Sequence, residues 1–272
     1  MQIASKQCLW TEGINGTVVE VEMTATTGKY LKFLLGKVAN TPCVINWGDG
    51  TKDEYAYTGN DYEAPHTYEN YGKYRIVFKG VCNMGFRTLD GHPQCQYDPC
   101  ILSVVDYIGQ ITGSRSAAFK RATNLEKFIC PNCRWMGQRD FAYCTKLKQV
   151  EIGNNDIYYD GTFQYCSSLK DLSVKSTNVT CWSYVWMGCT ALTELRLGGV
   201  SQFATQEFAN TPNLQDIWID NKTVDQIKQV AASGNIVAGY GAKFPWGAAS
   251  TCRFHGTDGI VLGNGEIVKG GE

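Results

Sequence analysis

No run of 18 or more apolar residues occurs in this 272-residue chain, so the sequence offers no membrane-spanning helix. An excess of one charge is missing too: 25 Lys and Arg stand against 26 Asp and Glu, a net charge of -1. That balance gives no basic surface for nucleic acid and no acidic tail for a basic partner. Histidine is scarce, with His66, His92 and His255 scattered along the chain. The sequence has no G-x-S-x-G, no H-E-x-x-H and no G-x-x-x-x-G-K-[ST], which removes the usual nucleophile, zinc and phosphate devices. No spacing of its acidic residues fixes a glycosidase-like carboxylate pair. An enzyme is therefore not expected, nor a cofactor or a metal. Met1 to Cys8 lacks the apolar core of a signal peptide.

What the chain does have is glycine, 29 residues, and one unit written five times. Phe119, Phe141, Phe163, Trp186 and Phe208 open the copies, at intervals of 22, 22, 23 and 22 residues. Six residues after each opener stands Leu125, Leu147, Leu169, Leu192 or Leu214. Two further apolar positions follow in each: Phe128 and Cys130, Val150 and Ile152, Leu172 and Val174, Leu195 and Leu197, Ile217 and Ile219. A degenerate sixth copy is expected upstream in Leu102, Val105 and Tyr107. A fixed period in the low twenties is a solenoid signature, since stacked units bury an edge that one unit cannot. Six strands about 4.8 Å apart would form a parallel ladder roughly 24 Å long.

Each copy, as in Phe141-Ala-Tyr-Cys144-Thr-Lys-Leu147, resembles the BspA-like leucine-rich repeat of bacterial surface antigens. Upstream, Thr17 to Met23 alternates as a half-buried strand, and Tyr30 to Leu35 and Cys43 to Trp47 are further strand candidates. Asp49-Gly50 then signals a hairpin. Asn46-Trp47-Gly48-Asp49-Gly50-Thr51, His66-Thr67-Tyr68 and Gly72-Lys-Tyr74-Arg-Ile76 resemble the motifs of a PKD-type domain. The first motif lacks the aromatic residue between Trp and Gly. That resemblance implies an immunoglobulin-like β-sandwich over 17–81, with Tyr68 pinning a loop through its hydroxyl.

The expected fold is mostly β. A segment 1–16 leads into the sandwich at 17–81, a six-rung solenoid occupies 82–220, and a helix-plus-hairpin cap covers 221–272. Thr223-Val-Asp-Gln226 has capping-box spacing, and Thr257-Asp258-Gly259 marks the hairpin turn. An atypical final unit is what a solenoid needs to cover its last rung.

Among candidate sites, Cys144, Cys166 and Cys189 share one repeat slot that Ala122 and Thr211 fill elsewhere, so they read as buried thiols rather than a redox ladder. Such a column favours assembly in a reducing cytoplasm. Cys95, Cys100, Cys130 and Cys133 have the chemistry for zinc or disulfides, but not the spacing of a zinc module; unpaired thiols are the simpler reading. Asp49 reads as a turn residue before a calcium ligand.

The outward strand positions remain as the candidate binding face. One row is Lys127, Gln149, Asp171, Glu194 and Asp216; the other includes Glu151, Ser173, Arg196 and Trp218. Trp218 is either an exposed anchor or covered by the cap. These features suggest a non-enzymatic structural or binding protein. The leading reading is a phage virion component, such as a head fibre, decoration or tail-associated protein, on the virion surface. The alternative is a bacterial cell-surface adhesin, and a remote one is the carbohydrate-binding module of a glycan-active enzyme. Expected partners are a protein or glycan on a host surface or other virion proteins, with homo-oligomers allowed.

Overall fold

The computed structural model describes residues 16–35, 42–56, 62–80, 83–85, 100–107, 113–114, 117–134, 136–153, 157–174, 179–202, 207–233, 252–262 and 265–270. Segment 1–15, most of the expected linker with Cys95, and the side chains of Asp171 and Ser173 lie outside the described residues.

The N-terminal unit carries β1 (Thr17–Met23), β2 (Tyr30–Leu35), β3 (Cys43–Asn46), β4 (Lys52–Tyr55), β5 (Tyr62–Thr67), β6 (Gly72–Lys79) and β7 (Asn83–Gly85). Then come β8 (Ile101–Asp106) and β9 (Gly113–Ser114). The repeats contribute β10 (Lys127–Cys130), β11 (Gln149–Ile152), β12 (Ile157–Tyr158), β13 (Asp171–Val174), β14 (Val179–Cys181), β15 (Glu194–Leu197), β16 (Val200–Gln202) and β17 (Asp216–Ile219). The chain closes with helix α1 (Val224–Ser233) and strands β18 (Arg253–His255), β19 (Gly259–Leu262) and β20 (Ile267–Lys269).

Two sheets face each other in the N-terminal unit. Phe33 on β2 stacks 5.8 Å from Trp47 and meets Phe78 of β6 edge-on at 4.8 Å. Val19, Val21, Ile45 and Ile76 fill the space between, all fully buried. The Tyr68 hydroxyl donates to the Trp47 carbonyl at 3.0 Å, the loop pin that the sequence suggested. Asp49 accepts from the Thr51 amide at 2.9 Å and its hydroxyl at 2.6 Å, and pairs with His66 Nε2 at 2.7 Å. Burial pushes the Asp49 carboxyl up, but these hydrogen bonds and His66 outweigh it and hold it below the usual carboxylate range. The β3–β4 hairpin is present, with its positive φ angles on Gly48 and Gly50 rather than on Asp49.

In the solenoid the openers form a stack. Phe119, Phe141 and Phe163 lie 5.4 Å apart with planes within 10°, and Trp186 stacks on Phe208 at 5.5 Å. Each column thiol donates to the carbonyl of the opener one rung back: Cys144 to Phe119 at 3.0 Å, Cys166 to Phe141 and Cys189 to Phe163 at 3.1 Å. Burial pushes these thiols up, Cys189 to about 12, so they stay protonated donors. Cys100, Cys130 and Cys133 are buried, and Cys133 donates to the Met136 sulfur at 3.5 Å.

The first four turns each use the left-handed region twice. Two residues before the opener stand Ala117, Arg139, Gly161 and Tyr184; two after stand Arg121, Tyr143, Tyr165, Gly188 and Asn210, all with positive φ. At Gly188 glycine is needed twice over, because a Cβ there would also collide with the Tyr165 ring.

Two expectations require correction. The upstream repeat copy is shifted by one residue. Phe128 pairs with Val104 and Ile129 with Val105, so Ile101, Val104 and Asp106 point inward while Val105 points outward. The cause is a β-bulge: Glu20 faces Ser103 and Val21 faces Ile101, leaving Leu102 as the extra residue. Nor do the rung strands form a single ladder. β8, β10 and β11 belong to one sheet and β13, β15 and β17 to another. The turns carry the stack across that break, with Phe141 N–H bonded to Thr162 O at 2.8 Å and Tyr143 N–H to Gln164 O at 2.7 Å.

A candidate binding face across the seam

The first sheet has the order β11-β10-β8-β1-β6-β3-β4. β8 is therefore shared: it runs antiparallel to β1 of the N-terminal unit and parallel to β10 of the first full rung. The two units meet through backbone hydrogen bonds, not only through a tether.

Register turns this seam into a surface. Cross-strand partners run Arg75, Glu20, Ser103, Lys127, Gln149 in one row and Val77, Val18, Val105, Ile129, Glu151 in the next. Side chains in one row of a sheet share a face. One row is polar and charged; the adjacent one is apolar until Glu151. The bulge turns Leu102 toward the same side as Ser103, whose hydroxyl donates to Glu20 at 2.8 Å. Together they line a groove of about 690 Å³ that takes in Glu22, Lys73, Tyr107, Glu126 and Lys146. Tyr107 is 54% exposed at its rim.

Its cations outnumber its acids by one: Lys73, Arg75, Lys127 and Lys146 against Glu20, Glu22 and Glu126. Glu126 is itself paired with Lys148 at 3.2 Å, and Lys146 binds the neutral Asn124 amide at 2.8 Å. The groove is thus of mixed charge.

The expected outward rows are aligned as spacing required: Lys127 with Gln149, Asp171 with Glu194 and Asp216, and Ser173 with Arg196 and Trp218. Gln149, Glu151, Glu194 and Arg196 are exposed, while Lys127 is half-buried in the groove. Asp216 is not a solvated member of the grid. It is 8% exposed and holds Arg253 and His255, each at 2.6 Å. Burial pushes its carboxyl up, but hydrogen bonds from Arg253 and His255 prevail and hold it below the usual range. Trp218 lies between Arg196, 4.5 Å from its ring centroid, and the stacked His255 at 4.8 Å. Both ring faces of Trp218 are thus occupied, one of them by His255 of the cap.

Sequence reading missed the N-terminal half of the groove. Glu20 and Glu22 were visible as the polar side of an alternating strand, but no motif ties Thr17–Met23 to the repeats. Buried Asp140 and Glu207, each one residue before an opener, were missed as well. Their carboxylates accept backbone N–H groups one rung back, from Ala118 at 3.2 Å and Val185 at 3.1 Å.

Comparison with known proteins supports the repeats. No curated protein matches this chain. Among solved structures, the crystal structure of the T. pallidum leucine-rich repeat protein (TpLRR) is similar over 54% of this chain and 82% of that one, with 16% identity and a TM-score of 0.33. The BspA type leucine rich repeat region matches residues 102–236 in six copies.

Proposed function

We propose that this protein is a non-enzymatic binding protein, displayed on a surface, that grips a macromolecular partner with the sheet face shared by its N-terminal unit and first rungs. The observation that carries this reading is the unbroken row Arg75–Glu20–Ser103–Lys127–Gln149 across five hydrogen-bonded strands. Side chains held on a rigid sheet lose little freedom on contact, which favours binding. A BspA-type repeat region supports a surface or binding role.

The N-terminal unit is proposed to be a PKD-type, immunoglobulin-like sandwich. Its facing sheets and the Trp47, His66 and Tyr68 lock support this, with His66 stacked 4.4 Å from Trp47. Display on a phage virion is the favoured setting. Cys130, Cys144, Cys166, Cys181, Cys189 and Cys252 are buried thiols outside any disulfide, which suits folding in a reducing cytoplasm. The BspA-type match favours the second setting, a bacterial cell surface.

The test uses one charge on each side of the seam. Arg75→Glu and Lys127→Glu should each weaken attachment to host cells or isolated particles by more than ~1 kcal/mol and reduce its salt dependence. Wild-type attachment by both variants would sink the proposal. Loss in only one would confine the site to a single unit.

A further inference from the structure

Tyr159 and Trp182 are exposed by 38% and 51%, and they stack on each other with centroids 6.2 Å apart and planes 26° apart. They occupy corresponding places in successive rungs, each directly after a strand of the three-stranded sheet β12-β14-β16. The backbone beneath them is stiff. Tyr158 pairs with the fully buried Cys181, Gly161 N–H bonds to Ser183 O at 2.9 Å, and Arg139 N–H bonds to Asp160 O at 3.0 Å. Positive φ angles at Arg139, Gly161 and Tyr184 repeat the same turn in each rung. The rung before Tyr159 places Gly137, which has no side chain, at the corresponding position. Next to it, the Gln138 amide reaches the Asp160 carboxylate at 3.4 Å.

We propose that Tyr159 and Trp182, with Gln138 and Asp160 beside them, form a subsite for a neutral pyranose unit of a glycan. A sugar ring presents C–H bonds on its face, which suit the electron-rich face of an aromatic ring. Its hydroxyl rim needs an acceptor and a donor, and the carboxylate and the amide supply them. The charges of these turns offset each other, with Asp160 against Arg139, so an anionic polymer gains nothing here. Area argues against a protein partner: the exposed parts of two such rings amount to about 200 Å², well short of the ~800 Å² per side of a stable protein interface. The subsite flanks the three-stranded sheet, apart from the groove, and stands or falls independently of it.

The experiment is native affinity electrophoresis of the full chain through gels containing soluble mixed-linkage β-glucan, mannan or galactan, with acidic alginate as the control. At least one neutral polysaccharide should retard the wild type, and alginate should not. Trp182→Ala and Tyr159→Ala should each weaken that retardation at least tenfold, and Trp182→Phe should restore most of it. Both positions are exposed, so thermal melts should match the wild type. The proposal is overturned if no neutral gel retards the wild type, if alginate retards it equally, or if the alanine variants migrate like the wild type. A wild-type dimer in sizing chromatography that Trp182→Ala dissolves would instead make the rings a contact between copies, which also overturns it.

Discussion

A chain ending at residue 220 is expected to leave a sizing column as an oligomer or aggregate. The last rung strand, β17, is covered by β18 in parallel register, from Asp216 opposite Arg253 to Trp218 opposite His255. β19 and β20 then turn the sheet back antiparallel. Helix α1 packs on β16, β18 and β19, with Val224 and Ile227 buried. Its start is a capping box: Thr223 N–H donates to Gln226 Oε1 at 2.9 Å, and Gln226 N–H to Thr223 Oγ1 at 3.3 Å. Cutting at 220 removes Cys252, Phe254 and Val261 from the core and strips Arg253 and His255 from Asp216. What remains is an unpaired strand edge beside apolar side chains, which recruits other chains. A monomeric, soluble truncation would show that residues 221–272 do not act as a cap.

Leu169→Ala is expected to cost about 2 to 5 kcal/mol in a denaturant melt, the usual range for a buried leucine. Leu169 is fully buried, and Leu147 and Leu192 fill the same slot in the rungs on either side. Few whole domains have more than about 15 kcal/mol to lose, so this change should lower the unfolding midpoint visibly. Leu102→Ala is the matched control. Leu102 lies in the bulge, half-buried, and its truncation should cost under about 1 kcal/mol. A loss below ~0.5 kcal/mol at Leu169 would mean that the rungs are misaligned.

These two leucines show what was legible. Leu169 recurs at a fixed distance from its opener, and five copies of one spacing leave little freedom of interpretation. Leu102 has the same neighbours in sequence as a repeat leucine, with apolar residues three and five further on. Its bulge depends on which residue of β1 lies opposite, and that partner is more than 80 positions away. The capping box at Thr223 was legible because both partners lie within one turn. Asp216 was not, because Arg253 and His255, which cover it, are 37 and 39 residues downstream. Tyr143 and Tyr165 hid the left-handed turn, since tyrosine is no signal for positive φ; Gly188 and Asn210 in the same slot were the hint.

The seam was the largest omission. Alternation in Thr17–Met23 tells which side chains face the core, but alternation is the same whichever strand lies alongside. β8 can serve both units because its two backbone edges pair separately, one with β1 and the other with β10. The same sharing makes the candidate face larger than either unit could build alone.

Native-state hydrogen exchange of the intact chain, read amide by amide over 103–105, the residues paired with both β1 and β10, tests the shared strand most directly. A strand paired on both edges hides every second amide on each side, so all of them are protected. The expected result is slow exchange at all of these amides, at the level of Lys127–Cys130. Fast exchange at alternate amides, the pattern of a strand with one open edge, would separate the two units and remove the face that spans them.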